Sequence, residues 1–260
     1  MTLQIDPIAA YDDNYIWLLT RTGSPGAVVV DPGDEDPVLQ TLQQRGLVLQ
    51  AILLTHKHGD HVGGVAGLLE AWPGVPVYGP AHEPIRNVTQ PLDEGAGVRL
   101  QGMELDLQVW QVPGHTEGHI AYLTEDDLFC GDTLFAAGCG RVFSGTHEQL
   151  YTSLQRISAL PPRTRVYCAH EYTLANLGFA RWVEPDNPAI LARLQQDRAQ
   201  REAGRPTVPS TLELELQTNP FLRTAEPAVI AAAQRFAGKT LDRGVDVFTA
   251  IRNWKDQEYD

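Results

Sequence analysis

Cysteine and positive charge are both scarce in this sequence. The three cysteines, Cys130, Cys139 and Cys168, are odd in number and lack CxxC spacing, so we expect no disulfide framework and a reducing cytoplasmic location. Lysine and arginine total 20 against 33 aspartates and glutamates, which gives a net charge of -13 at pH 7. Because an acidic surface repels polyanions, we expect no nucleic-acid partner and no binding to an anionic membrane.

Long apolar runs are missing as well. No stretch approaches the roughly 20 apolar residues that cross a membrane as a helix. The first 15 residues contain three aspartates and lack the basic start and apolar core of a signal peptide. The 260 residues, of which 43% are hydrophobic, suffice for one large α/β domain, alone or with a smaller one.

Metal-binding side chains, in contrast, are concentrated in one short stretch. Residues 55–61 read Thr-His-Lys-His-Gly-Asp-His, with an apolar run before them and Val-Gly-Gly after them. In an extended backbone alternate side chains share a face, so His56 and His58 can reach one cation while Asp60 and His61 turn to the opposite side. We therefore predict that this stretch supplies ligands to two metals.

Three later segments each place a possible ligand just after an apolar run. They contain His115, Asp132 and His170. Catalytic metal sites usually collect ligands from distant segments and keep coordination positions open. Each of these residues alone would more commonly be a hydrogen-bonded loop side chain, but the ordered set favours a metal site. We expect His82 to lie on the surface and His147 to be structural or solvated.

Apolar patterns predict strands in the first two-thirds of the chain and mainly helices in the rest. The predicted strands are residues 16–19, 27–30, 49–54, 75–78, 105–112, 120–123, 128–130 and 165–168. The predicted helices are residues 36–44, 62–69, 147–160, 174–181, 188–202, 227–236 and 245–254. Asp36, Asp60 and Thr146 are the expected helix caps, and the glycines within residues 63–67 indicate close backbone approach.

The change in composition after His170 predicts two domains. We place the boundary after Tyr172, which gives a mixed α/β metal-binding catalytic domain over residues 1–172 and a smaller helical substrate-binding domain over residues 173–260. Residues 79–97 have a loop-like composition.

With these residues assembled, the chain resembles the metallo-β-lactamase superfamily and, within it, the glyoxalase II or hydroxyacylglutathione hydrolase family. The resemblance covers nearly the whole chain and rests first on the motif of residues 55–61 with the later His115, Asp132 and His170. It implies a four-layer αββα sandwich with the metal site at one edge of the sheets. It also implies that the helical C-terminal domain binds glutathione.

The resemblance further implies two divalent metal ions per chain. By that resemblance His56, His58 and His115 hold the first metal, Asp60, His61 and His170 hold the second, and Asp132 bridges them. Imidazole and carboxylate ligands suit Zn²⁺, the expected metal, and also iron or manganese. Asp60 and Asp132 are the expected catalytic residues, with a metal-bound hydroxide as nucleophile. Asp31 and His119 are candidates for orienting the ligands.

Four other stretches carry the resemblance to the glutathione-binding part of the family, namely residues 138–143, 170–173, 219–221 and 252–256. The implied substrate contacts are Arg141, Phe143, Tyr172, Arg252 and Lys255. Two of them depart from the family, which commonly has lysine and tyrosine in place of Arg141 and Phe143. Arginine keeps the positive charge with a different geometry, whereas phenylalanine loses a hydroxyl whose hydrogen bond is worth about 0.5–1.5 kcal/mol.

The resemblance implies a thioester hydrolase. The expected substrate is a small molecule, an S-(2-hydroxyacyl)glutathione such as S-lactoylglutathione, which gives a 2-hydroxy acid and glutathione in methylglyoxal detoxification. We expect a monomer. A thiolate leaves without a strong general acid, and Cys130 and Cys139 are expected to be buried apolar residues and not nucleophiles.

Three alternatives stay open at this point. The first is a glutathione persulfide dioxygenase with a single iron, and the second is another hydrolase of the metallo-β-lactamase fold. The pair Arg252 and Lys255, three residues apart in a helical region, favours the glutathione thioesterase over both. The third alternative is a metal-binding protein that keeps the ligands without catalysis.

Overall fold

The computed structural model describes residues 2–259, apart from the side chain of Gln101. Backbone contacts divide the chain into two compact units. The first unit comprises the chain up to Gln111 together with residues 116–131, and the second comprises residues 112–115 together with the chain from Asp132 onward. The boundary expected after Tyr172 stays a prediction.

The first unit contains most of the strands. These are β1 Leu3–Ala10, β2 Asn14–Arg21, β3 Gly26–Val30, β4 Val48–Leu53, β5 Val77–Pro80, β6 Gln90–Leu92, β7 Gly97–Leu100, β8 Leu105–Gln111, β9 Ile120–Leu123 and β10 Asp127–Gly131. Its helices are α1 Glu35–Arg45, α2 Gly59–Val62 and α3 Val65–Ala71, and a 3-10 turn spans Gln101–Met103.

Strands β1 to β6 form a sheet in sequence order. The first three strands pair antiparallel, and β3 to β6 continue in parallel. Apolar side chains of this sheet, among them Leu18, Val29 and Ile52, pack with Leu42 of α1 and Leu68 of α3 in one core. Because β3 and β4 are parallel, their carboxyl ends lie at the same sheet edge, and the chain passes from there into residues 55–61.

The remaining strands of the first unit run antiparallel in the order β10-β9-β8-β7. β9 and β10, which correspond to the predicted strands 120–123 and 128–130, form a hairpin with Leu128 opposite Leu123. Strand β8 ends at Gln111, so it delivers the chain toward His115, as predicted.

Helices dominate the second unit, as predicted for the end of the chain. They are α4 His147–Ser158, α5 Thr173–Val183, α6 Pro188–Glu202, α7 Leu212–Thr218, α8 Pro227–Ala237 and α9 Gly244–Trp254, followed by a π-helical turn, Lys255–Tyr259. The strands of this unit are β11 Leu134–Phe135, β12 Gly138–Cys139, β13 Arg165–Cys168 and β14 Ser210–Thr211. β11 pairs with β12 and β13 pairs with β14, both antiparallel.

Two of the three predicted helix caps are wrong. Asp34, not Asp36, caps α1, because its extended backbone lets its side chain accept the N–H of Asp36. Asp60 caps no helix: α2 begins after His58, and Asp60 lies within its first turn. Thr146 caps α4 as predicted and forms a reciprocal capping box with Gln149.

Close backbone approach explains the glycines before α3, as predicted. A Cβ atom on Gly64 would overlap the backbone of Asp34 and Glu35, and one on Gly63 would overlap the carbonyl oxygen of Gly33. This contact presses the segment after the metal-binding motif against the loop that follows β3. The position of residues 55–61 is therefore fixed by backbone packing as well as by β4.

Within residues 2–259, no helix is both long enough and apolar enough to cross a membrane. Cys130 and Cys139 are buried, as predicted, and Cys168 is buried as well; none of the three forms a disulfide in this part of the chain. His82 is exposed, as predicted, with Nε2 2.6 Å from Oδ1 of Asp93.

Candidate metal centre and substrate pocket

The first unit holds four of the predicted metal ligands in a single turn after β4. His56 and His58 point ring nitrogens at one another, with His56 Nε2 3.1 Å from His58 Nδ1. In the same segment, His61 Nε2 lies 3.5 Å from Oδ2 of Asp60. The segment thus presents two pairs of donors, but not by the alternation predicted from extended backbone, because Asp60 and His61 lie in α2 and the His61 ring centroid is 4.1 Å from that of His56.

Asp31 orients this stretch from the neighbouring strand end. Its carboxylate accepts hydrogen bonds from the backbone N–H of Thr55 at 2.8 Å and from the Thr55 hydroxyl at 2.7 Å. Its Oδ2 also lies 3.1 Å from Nδ1 of His61. A carboxylate on Nδ1 fixes the tautomer in which Nε2 carries the lone pair that a metal needs. The predicted orienting role of Asp31 matches this geometry.

Two further side chains brace the same turn. Asn14 is buried and donates from Nδ2 to Oδ2 of Asp60 at 3.0 Å. The buried ring of His119 stacks on His56, with 4.5 Å between ring centroids, and its Nδ1 lies 3.0 Å from the carbonyl oxygen of Ile120. His119 thus restrains a ligand by stacking. Sequence reasoning missed Asn14, because a lone asparagine at a strand start carries no signal of its own.

In the second unit, Asp132 stands between the two remaining histidines. Its Oδ2 lies 3.5 Å from Nε2 of His115, and its Oδ1 lies 3.4 Å from Nε2 of His170. His115 Nδ1 lies 2.7 Å from the carbonyl oxygen of Arg141, which fixes its tautomer in the same way as Asp31 fixes that of His61. The ring of His170 stacks on Tyr172, with 4.7 Å between centroids.

The spacing of these donors fits a divalent metal. Two ligands at about 2.05 Å from a tetrahedral ion lie about 3.3 Å apart. Four donor pairs within the two units have similar distances. They are 3.1 Å for His56–His58, 3.5 Å for Asp60–His61, 3.5 Å for His115–Asp132 and 3.4 Å for His170–Asp132. A charge-assisted N–H···O bond is shorter, at about 2.7–2.9 Å. The three histidine–carboxylate pairs therefore have the spacing expected of two ligands of one ion.

A cavity of about 470 Å³ lies in the second unit. The residues that line it are His115, Asp132, Phe135, Cys139, Arg141, Phe143, Tyr172, Ala175, Arg252 and Lys255. The structure thus brings all five residues implied as substrate contacts to one cavity, together with two predicted metal ligands. Three of the five carry positive charge, which supplies the local basic site that an anionic substrate of this acidic protein requires.

Arg252 is fully buried beside this cavity, and its guanidinium already has protein partners. Nη1 donates to the carbonyl oxygen of Cys139 at 3.0 Å, and Nη2 donates to Oδ1 of Asp256 at 2.9 Å. The same Asp256 oxygen lies 3.4 Å from Nε of Arg141. Asp256 therefore links two of the basic residues. Asp256 belongs to the stretch 252–256 that carries the family resemblance, and its spacing of four residues from Arg252 on a helical stretch suits this ion pair.

Two aromatic side chains of the lining are exposed. Phe143 is 67% exposed, and its ring meets the ring of His115 edge to face with 5.2 Å between centroids. Tyr172 is 36% exposed and packs on both His170 and Phe135. These two rings leave an apolar surface beside the metal ligands where part of a substrate can bind.

The hairpin of β11 and β12, which sequence reasoning missed, forms one wall of the cavity. Asn219 holds it by donating from Nδ2 to the carbonyl oxygens of Phe135 and Gly138, at 3.2 and 2.9 Å. Buried Glu215 accepts the backbone N–H of Ala137 at 2.8 Å. Within the stretch 219–221, Asn219 therefore holds this wall of the cavity by direct hydrogen bonds.

Cys139 lines the cavity, but its thiol is a poor nucleophile. Burial raises the pKa of its thiol to about 11, and the neighbouring Arg252 only partly opposes this effect. A thiol with that pKa carries almost no thiolate at neutral pH. This agrees with the expectation that Cys139 is not a nucleophile.

Comparison with known proteins assigns both parts of the chain. Residues 12–170 match the model of the metallo-beta-lactamase superfamily, and residues 171–258 match the model named hydroxyacylglutathione hydrolase C-terminus. A hydroxyacylglutathione hydrolase of Alkalilimnicola ehrlichii is 56% identical over 98% of this chain and 99% of its own length.

Solved structures show the same fold. ETHE1 from Myxococcus xanthus superimposes with a TM-score of 0.67 at 25% identity, covering 100% of this chain and 93% of its own. A protein called TTHA1623, solved in a di-iron-bound form, has a TM-score of 0.59 at 32% identity and covers 84% of this chain and 100% of its own. The predicted metallo-β-lactamase fold with a helical C-terminal region is thus confirmed, and the chain belongs to the hydroxyacylglutathione hydrolase family.

Proposed function

We propose that this protein hydrolyses S-(2-hydroxyacyl)glutathione thioesters, such as S-lactoylglutathione, to a 2-hydroxy acid and glutathione. The surroundings of Asp132 support the proposal independently of family membership. Asp132 presents an oxygen to each of two histidines and lines the same cavity as Arg141, Arg252 and Lys255. A metal-binding carboxylate and a basic pocket for an anionic thiol are thus adjacent in the second unit.

The proposed metal ligands are the seven residues predicted from the sequence. His56, His58, His115 and Asp132 would hold one ion, and Asp60, His61 and His170 would hold the other. We propose that Asp132 also serves the second ion, because its Oδ1 lies 3.4 Å from Nε2 of His170. When bound, two divalent cations polarise the thioester carbonyl and lower the pKa of water toward about 7. Zn²⁺ is the proposed metal because the donors are imidazole nitrogens and carboxylate oxygens. The di-iron form of TTHA1623 supports iron as the alternative.

The protein's own side chains position the substrate. The ammonium of Lys255 and the guanidinium of Arg141 are proposed to bind carboxylates of glutathione, while Arg252 keeps Asp256 and the Cys139 carbonyl in place. Tyr172 lines the cavity, and its hydroxyl is proposed to hydrogen-bond the substrate. The leaving thiol has an ordinary pKa near 8.5, so it departs as thiolate without a strong acid.

Thiol release from S-lactoylglutathione tests this function. We expect turnover by the metal-replete protein, loss of turnover in Asp132→Ala, and a raised KM with nearly unchanged kcat in Lys255→Ala. The matched control is Asp186→Ala, since this aspartate is exposed and outside the cavity. Oxygen consumption on glutathione persulfide with one iron per chain would instead identify a dioxygenase.

We also propose a cellular location, an oligomeric state and a domain organisation for this protein. A cytoplasmic monomer is proposed from the acidic balance and from three buried cysteines that form no disulfide among the described residues. The helical region after Tyr172 is proposed as the glutathione-binding domain, because it supplies Arg252 and Lys255. Size-exclusion chromatography with light scattering tests the monomer, since a mass near 28.6 kDa is expected.

A further inference from the structure

Lys255 reaches the cavity from an unusual backbone. It begins the π-helical turn Lys255–Tyr259, which follows directly on α9. Although lysine is rarely buried, Lys255 is only 7% exposed. Single π turns are rare and occur often at functional sites. Its long, flexible side chain needs a neighbour that keeps the ammonium directed at the pocket, and the other end of the turn supplies one.

That neighbour is Tyr259. The Nζ atom of Lys255 lies 6.0 Å from the centroid of the Tyr259 ring, within the range over which a cation is attracted to an aromatic face. The ring itself is fixed on α5. It packs edge to face on Trp182 and Phe179, with 4.8 and 5.5 Å between centroids.

Gly178, on α5, makes room for this ring. A Cβ atom at Gly178 would overlap the Tyr259 hydroxyl oxygen. Glycine is a poor residue in the interior of a helix, where alanine is favoured, but at this position it leaves the space that the Tyr259 hydroxyl occupies. A hydrogen bond from Trp254 Nε1 to Glu258 Oε2, at 3.0 Å, also stabilises the π-helical turn.

We infer that Tyr259, seated against Gly178, is a positioning residue that holds the Lys255 ammonium toward the substrate cavity. The inference rests on the proposed function, in which Lys255 binds a carboxylate of glutathione. A lysine whose ammonium is held in place before binding loses less conformational freedom when the carboxylate arrives. Tyr259 therefore contributes to affinity without touching the substrate.

The test uses variants on both sides of the Tyr259–Gly178 contact. Tyr259→Ala removes the ring, and we expect the KM for S-lactoylglutathione and the Kd for glutathione to rise roughly 3- to 30-fold with kcat nearly unchanged. Tyr259→Phe keeps the ring and should behave like the parent. Gly178→Ala pushes the hydroxyl away and should raise KM and Kd, although alanine favours the helix.

The double variant Gly178→Ala with Tyr259→Phe provides the rescue. It removes the hydroxyl that the new methyl group overlaps, so KM and Kd should return toward the parent values. A merely structural role would lower the melting temperature without separating KM from kcat. Amidating the glycine carboxylate of the substrate adds a second readout, since the penalty of Tyr259→Ala should then largely disappear.

The results for Lys255 and Tyr259 distinguish an error in the proposed substrate from an error in the role of Tyr259 alone. Failure of the parent protein to bind glutathione, or an unchanged KM and Kd in Lys255→Ala, would overturn the proposed substrate and this inference with it. If Lys255→Ala weakens binding while Tyr259→Ala and Gly178→Ala leave KM and Kd unchanged, the inference alone is wrong. Weakened binding in all three, with rescue in the double variant, supports it.

Discussion

The Nε2 atom of His170 lies 3.4 Å from Oδ1 of Asp132. The second oxygen of the same carboxylate faces His115, at 3.5 Å from its Nε2. Both separations exceed those of a charge-assisted hydrogen bond, about 2.7–2.9 Å, and both match the distance between two ligands of one ion. The side chain of Asp132 therefore presents one oxygen to each of two histidines, which is the arrangement that the proposed bridging role requires.

Replacing Asp132 by asparagine should break this arrangement. An amide has one oxygen and one NH₂ group, so it can serve as ligand to one ion and offers only donors on its other side. We expect the metal content of purified protein to fall from about two ions per chain to about one, and turnover to fall by more than about 100-fold. Elemental analysis alongside thiol release measures both, with Asp186→Asn as the control. Unchanged metal content would contradict the bridging role.

Asp31 should control metal affinity without binding metal. It lies 3.1 Å from Nδ1 of His61 and accepts two hydrogen bonds from Thr55. Because outer partners of ligating histidines typically contribute 10–100-fold to metal affinity or activity, Asp31→Ala should weaken binding of one ion by about that factor. Competition with a chelator measures this affinity. Asp106→Ala, a change at an exposed aspartate, should leave it unaltered.

The candidate ligands and most of the fold could be predicted from the sequence because their signals are local. Histidine and aspartate can be recognised as possible metal ligands from the residue type alone. Helix α6, Pro188–Glu202, and strand β13, Arg165–Cys168, have the predicted bounds. The end of α1 at Gly46 could be predicted as well, because glycine favours the left-handed backbone that ends many helices. Gly46 has this conformation, with φ of 63°.

Elements that depend on distant contacts were missed. Strand β1, Leu3–Ala10, leaves most of its positions at least partly exposed and carries no apolar alternation, so only its pairing with β2 defines it. The β11–β12 hairpin has strands of two residues each, too short for any pattern. Asn219 and Glu215 determine its position from about 80 residues away, a relationship that no sequence spacing indicates.

Restoring a hydroxyl at Phe143 should strengthen substrate binding. Phe143 is 67% exposed and lines the cavity beside His115, so a hydroxyl on its ring would meet the bound substrate without crowding the core. One added hydrogen bond of about 0.5–1.5 kcal/mol corresponds to a KM lower by roughly 2- to 12-fold. Steady-state kinetics of Phe143→Tyr on S-lactoylglutathione measures it, with Phe143→Leu as control for the ring. A KM equal to that of the parent would show that this ring does not face the substrate.

Cys139 should make stability fall in alkaline solution. Burial raises the pKa of its thiol from the ordinary 9.0 to about 11, so the unfolded chain loses this proton at lower pH than the folded protein does. Below pH 9 both states keep the proton and there is no effect. As pH rises from about 9 toward 11 the unfolded state is increasingly favoured, and the free energy of unfolding decreases.

The measurement is urea unfolding of the parent and of Cys139→Ala between pH 8 and pH 10.5. The stability difference between the two proteins should shift in favour of the variant as pH rises, because alanine has no proton to lose. Lys255 and Arg252 beside the thiol lower its pKa and Asp256 raises it, but burial is the largest effect. Alkylation of folded protein by iodoacetamide at pH 8 should also be slow at this position. A stability difference independent of pH, together with rapid alkylation of Cys139, would mean that the thiol ionises in the folded protein near its ordinary pKa, and Cys139 would then have to be reconsidered as a reactive group of the pocket.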